Sequence, residues 1–193
     1  MPNLVKNVVA GKPLSTGGVC IGPLGTALPA DATTALDEAL VSAGYIGEDG
    51  VTEAADRSTD KIRAWGGDTV KIVQTEFSTT YTFTFIETLN STVLETVYGD
   101  DNVTTTAPTS SKGTLHVVKV NADILPHKVF VFEVKDGDAK IRIVVADGQV
   151  TEVGEITYSD SEVIGYEVTV EAFRDPTLNA NAVKYMDDGV LAA

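Results

Sequence analysis

Between Thr69 and Gly99 the chain changes its period, and that change constrains the architecture more than any other feature. Tyr81, Phe83 and Phe85 fall on one face of an extended segment, and Thr80, Thr82 and Thr84 fall on the other. Aromatic and β-branched residues suit a pleated, half-buried surface, so this is a strand. From residue 91 the spacing becomes helical: Val93, Leu94, Val97 and Tyr98 share a face. Asn90 or Ser91 can cap the start, and Gly99 suits the left-handed position beyond the end. Strands feeding a short amphipathic helix predict a sheet with a helix laid on it. Phe83 and Phe85 should lie between the two, facing Val93, Leu94 and Val97.

The segments before this stretch are less regular. Residues 1–16 lack alternation and read as an extended arm, and Val19 to Ile21 reads as a brief strand between glycines. Leu36, Ala39, Leu40 and Ala43 stand at i, i+3, i+4 and i+7, which predicts a short helix after Pro29 and Asp31 that Gly44 ends. Tyr45–Gly47 reads as a short strand entering a turn at Glu48–Gly50. Residues 52–60 are polar and irregular, and Gly66-Gly67-Asp68 is a strong turn signal.

After the helix, residues 100–113 form a Thr/Ser/Pro-rich exposed loop. Strands are predicted over 115–120, 128–135, 140–146, 150–158 and 163–173, with turns at Asp136-Gly137-Asp138 and Asp147-Gly148. In residues 128–135 both faces are apolar, which predicts cover on both sides. In the last strand Tyr166, Val168 and Val170 oppose Glu167, Thr169 and Glu171. Residues 174–193 read as an irregular tail. The fold class is therefore mainly β (α+β): two packed antiparallel sheets, one flanking helix, and extended arms at both ends. The expected division is an arm over 1–16, a β-sandwich domain over 17–175 and a tail over 176–193.

Composition excludes several function classes. With 14 basic and 28 acidic residues the net charge is −14, which opposes adhesion to nucleic acid through a basic surface. No apolar run approaches the roughly 20 residues that span a bilayer, and the N-terminus has no signal-peptide pattern, so no membrane partner is expected and synthesis is expected in a cytoplasm. The lone Cys20, between Val19 and Ile21, reads as a small packed side chain. His116 and His127 lack partners at metal-ligand spacing, and Asp136-Gly137-Asp138 lacks the remainder of a calcium loop. GKPLSTGG (11–18) has its residues in the wrong order for a phosphate loop. Trp65 reads as a core or interface anchor, because no basic patch surrounds it for stacking on bases. No catalytic, cofactor-binding or metal residues are assigned, no cofactor is expected, and the reading is non-enzymatic.

Strands, arms and an exposed loop without a chemical site describe a building block. The segments LGTALPADATTALDEAL, GYIGEDGVTE, KIRAWGGDTVKIVQTE, TYTFTFIETLNSTVLETVYG and GEITYSDSEVIGYEVTVEAF, in that order across residues 14–175, resemble the major tail (tail tube) proteins of long-tailed bacteriophages. The likeness is greatest to those of the non-contractile tails of actinobacterial phages. The resemblance implies a virion protein made in the bacterial host. Six copies would close into a ring, and rings would stack into a hollow tube that conducts DNA during genome ejection. The implied partners are the chain itself, the tape measure and tail terminator proteins, and DNA that passes without specific binding. The N-terminal arm, the 24–43 segment and the 100–113 loop are the pieces expected to reach neighbouring rings.

A conduit for a polyanion must repel more than it holds, and six copies at −14 would carry −84 per ring. The expected lumen-facing residues are Thr80, Thr82 and Thr84 with Glu167, Thr169 and Glu171. The alternative is a phage head-decoration or receptor-binding β-sandwich module.

Overall fold

The order of elements in the computed structural model, which describes residues 7–14 and 17–191, follows the predicted strand–helix–strand succession. The strands are β1 (Val19–Pro23), β2 (Val41–Ser42), β3 (Ile46–Arg63), β4 (Thr69–Phe85), β5 (Val103–Thr106), β6 (Leu115–Val118), β7 (Lys128–Asp136), β8 (Ala139–Val153), β9 (Tyr166–Ala172) and β10 (Val183–Asp187). The helix α1 spans Ser91–Tyr98. One antiparallel sheet runs in the order β2-β1-β7-β8-β9-β4-β3, with β10 also paired to β8, and β5 and β6 form a second, two-stranded sheet.

The long strand β8 joins two halves of the large sheet. It pairs with β7 along Ala139–Gly148 and with β9 along Gly148–Val153, with a register shift between Val150 and Glu152. The halves pack on each other: the Tyr81 and Phe132 rings stack at 4.9 Å, and Phe83 meets Phe132 edge-on at 5.5 Å. Val19, Ile21, Phe130, Val168 and Val170 complete this core, and α1 inserts Val93, Leu94 and Val97 into it. Fully burying such side chains contributes about 1.5–3 kcal/mol each. As predicted, the Asn90 side chain caps the helix, accepting from the Thr92 amide at 3.0 Å. Gly99 ends it at φ 93°. The opposite face of β7 is also covered, since Val129 and Val131 join Cys20, Leu40 and Val144 in a second core.

Three local predictions are corrected. Residues 36–43 are not a helix: the Asp31 carboxylate accepts from the amides of Thr33 and Thr34, folding a tight turn. Arg142 then takes the carbonyls of Asp31 and Thr34, each at 2.7 Å, oxygens that a helix would have used internally. Leu36 and Leu40 pack individually on the second core. Glu48–Gly50 is not a turn between elements, because β3 runs through it with an irregular register between Ile46 and Val51. Nor is Asp147-Gly148 a turn. Gly148 is where β8 passes against Phe130, and an added Cβ would lie 2.8 Å from that ring. Asp136-Gly137-Asp138 does turn, with Gly137 at φ 61°.

The termini are partly ordered. Lys12 accepts from the Lys135 amide, and the Leu14 amide donates to Glu133, so this part of the predicted arm runs along β7. Residues 1–6 and 15–16 of the arm, and 192–193 of the tail, lie outside the described residues. The tail is not wholly irregular, because Val183–Asp187 pairs with β8. The 100–113 segment contains a 3-10 turn, Asp100–Asn102, and β5.

Candidate functional site

Strand register joins two stretches that lie more than 80 residues apart. In β4 and β9, Thr80 pairs with Glu171, Thr82 with Thr169, and Thr84 with Glu167. Directly opposed residues share a face, so all six expected lumen residues form one surface. The Thr82 and Thr169 hydroxyls meet at 3.1 Å across it. The same registers extend the surface to both sides, giving the rows Thr52–Thr82–Thr169–Glu152 and Ala54–Thr80–Glu171–Gln149. On the reverse side, Tyr81, Phe83, Phe85, Val168 and Val170 are buried. Alternation on these two strands therefore separates core from polar face, as the sequence predicts.

This face has a single sign of charge. The segments 46–56, 78–85, 149–153 and 166–172 contain no Lys or Arg. Glu152, Glu167 and Glu171 carry its charge, and hydroxyls and Gln149 supply the rest. Gln149 donates to the Leu125 carbonyl at 2.7 Å, which ties the 121–127 segment to the border of the face. Such a surface offers hydrogen bonds and negative potential, with no cation to hold a phosphate.

Above this level β3 and β4 leave the body of the molecule. β9 reaches β4 only from Thr80 to Phe85, and β3 pairs with β4 alone. Residues 51–77 are all exposed. The sequence reading placed the turn at Gly66-Gly67-Asp68, where it lies, but missed the strand before it, taking residues 52–60 as irregular. A strand with both faces wet has no reason to alternate, so periodicity cannot register it. Trp65, at the turn, is fully exposed and is not a core residue.

Where hairpin and body meet, Glu53 pairs with Lys184 at 2.6 Å beside a cleft of about 750 Å³ that also touches Phe77, Tyr81, Arg174 and Asn181. Tyr81 is fully buried, and its hydroxyl is the one buried side-chain polar atom without a hydrogen-bond partner among the described residues. Burial, and then the charge of Glu53 and the approach of its carboxylate to the hydroxyl, push the phenol above the ordinary value, although the two groups do not reach hydrogen-bond geometry. Glu53 is the cross-strand partner of Tyr81, but its carboxylate is engaged by Lys184 and does not complete a hydrogen bond to the hydroxyl.

The remaining chemical candidates have structural surroundings. His116 Nδ1 lies 2.9 Å from the Thr105 hydroxyl, and His127 Nδ1 lies 2.5 Å from Asp147 while its ring packs on Phe173. No group of three or more His, Cys, Asp or Glu side chains is placed to hold a metal among the described residues. Cys20 is buried, and desolvation, reinforced by Glu133 and opposed by Arg142, pushes its thiol up to about 11. Arg142 and Glu133 form a buried ion pair at 2.5 Å. No helix among the described residues is long and apolar enough to cross a membrane.

Residues 6–192 match the family model described as phage tail tube protein. Comparison with curated proteins gives no match.

Proposed function

Because the chain belongs to the phage tail tube protein family, and so to the structural components of the virion tail that assemble with other tail proteins, we propose that six copies close into a ring and that rings stack into a hollow tube conducting DNA. In this reading Thr80, Thr82, Thr84, Glu167, Thr169 and Glu171 line the lumen. The observation that carries it is the contiguous polar face of β3, β4, β9 and β8, formed from segments without a single Lys or Arg. DNA passing such a wall gains no counterion-release affinity and meets repulsion instead. The free edge of β3 supports ring closure, since lateral pairing with a neighbouring copy removes an edge that otherwise invites uncontrolled association. The likeness to actinobacterial phage tubes favours a non-contractile tail, with tape measure and terminator proteins as partners and synthesis in the bacterial host.

Electron microscopy of the concentrated purified protein tests the assembly. Tubes or stacked rings are expected, and discrete globular particles at all concentrations overturn it in favour of a binding module. Glu167→Lys with Glu171→Lys tests the lumen: assembly should persist while genome ejection slows. Normal ejection through a lumen made basic removes these residues from the channel wall.

A further inference from the structure

Strand β10 is held along one edge only. Val183–Asp187 pairs with residues 144–140 of β8, and no other strand among the described residues pairs with it. Its apolar anchors are few: Ala182, just before it, packs on the main core and Tyr185 on the second, while Lys184, Met186 and Asp187 are exposed. Lys184 reaches across to the base of the hairpin and meets the Glu53 carboxylate at 2.6 Å. Of the four ion pairs among the described residues, this one alone joins the C-terminal segment to β3. Its side chains are 40% and 27% exposed, so water competes for both charges and the tie is weak.

Glu53 has a second partner within reach. It stands opposite Tyr81 in the β3–β4 register, and directly opposed side chains share a face with their Cβ atoms about 4.5–5.5 Å apart. Its carboxylate approaches the Tyr81 hydroxyl without reaching hydrogen-bond geometry, and that hydroxyl is buried with no partner. Glu53, Tyr81 and Lys184 all border the cleft at the hairpin base, which gives the carboxylate open space in which to turn. The two partners differ in freedom. Lys184 rides on a strand with a single paired edge, whereas Tyr81 is fixed by full burial and by its stacking on Phe132.

We propose that Glu53 is the moving part of a latch between the hairpin base and β10. With β10 docked, Lys184 holds the carboxylate and the Tyr81 hydroxyl stays unpaired. With β10 displaced from the edge of β8, the carboxylate turns within the cleft and accepts a hydrogen bond from the Tyr81 hydroxyl. Displacement then breaks an exposed ion pair but satisfies a buried donor, whose isolation is the more unfavourable of the two conditions. The unpaired hydroxyl is thus a built-in bias towards release of the C-terminal strand, and release uncovers the 140–144 edge of β8. The latch lies within one copy and does not depend on how copies assemble.

A double-mutant cycle in the full-length protein, read by urea midpoint and by hydrogen exchange, tests the latch. Tyr81→Phe alone should raise the midpoint, because Lys184 keeps Glu53 from the hydroxyl. In a Lys184→Met background the carboxylate is free to accept from the hydroxyl, so the same substitution should lower the midpoint. With Glu53→Ala also present, the effect of Tyr81→Phe should no longer change with Lys184→Met. Exchange reports on the strand itself. Tyr81→Phe lies in β4, yet it should slow exchange at the amides of residues 183–187 several-fold, because the displaced state loses its hydrogen bond. Equal effects of Tyr81→Phe with and without Lys184→Met, or unchanged or faster exchange over 183–187, overturn the latch.

Discussion

Tyr81→Phe should stabilise the protein. The Tyr81 ring is fully buried and stacked on Phe132 at 4.9 Å, and the substitution keeps those contacts. Its hydroxyl has no partner, and a buried polar group left unpaired costs about 1–3 kcal/mol. Deleting the oxygen removes that cost and forfeits only a few dispersion contacts, each about 0.1–0.2 kcal/mol. The expected net gain is about 1 kcal/mol at neutral pH, or about 2–4 °C in Tm for a chain of this size. Alkaline pH provides a second arm. The folded state holds this phenol above its ordinary value of 10, so its neutral form is favoured in the fold. That contribution is complete below the unfolded value and is lost as pH rises past it towards the folded one. The phenylalanine variant has no such group, so its advantage in urea midpoint should widen above pH 10. A loss of 1 kcal/mol or more at neutral pH would refute the reasoning, because it would mean that the hydroxyl makes a net hydrogen bond, with Glu53 the nearest acceptor.

Phe83→Ala should cost about 3–5 kcal/mol, since it opens a cavity in the main core, while Thr82→Ala on the polar face should cost under about 1 kcal/mol; equal losses in urea denaturation would mean that the two faces are misassigned. Arg142→Ala leaves Glu133 buried and unpaired and frees the Asp31 and Thr34 carbonyls, so a loss of about 3–5 kcal/mol is expected, with faster proteolysis around residues 31–36. Cys20 should resist iodoacetamide in the native protein at pH 8, because burial holds its thiol near 11, and intact mass should show alkylation only after unfolding; rapid native alkylation would contradict the burial.

Legibility in the sequence followed burial. Tyr81 to Phe85 and Tyr166 to Val170 alternate because one side of each strand meets the core and the other does not. Asn90 and Gly99 announced the helix ends through backbone geometry that few other residues satisfy. The six expected lumen residues were recognisable as two polar faces, but their union is a product of register between strands distant in sequence, which no local pattern contains. The 31–43 segment misled because helical spacing of leucines also suits a loop whose side chains drop separately onto a sheet. Its carbonyls go to Arg142, more than 100 positions away. Asp147-Gly148 misled in the opposite sense: a turn-like dipeptide answers there to the crowding of Phe130.

Strand β4 carries the division between folding and assembly within one element. Its residues Thr79, Tyr81, Phe83 and Phe85 are buried, whereas Thr69 to Phe77 are exposed on both faces. A sequence selected only for the stability of a single subunit has no use for the second half. That half buries nothing, orders a long ribbon at about 1–2 kcal/mol of backbone entropy per residue, and leaves both edges unpaired. The cost is recovered only if a partner covers it. In the proposed tube, stability and association are served by separate groups lying well over 10 Å apart, where energetic effects add independently. In that reading the core can tolerate repacking without altering how copies meet, and the exposed ribbon can change without unfolding the body.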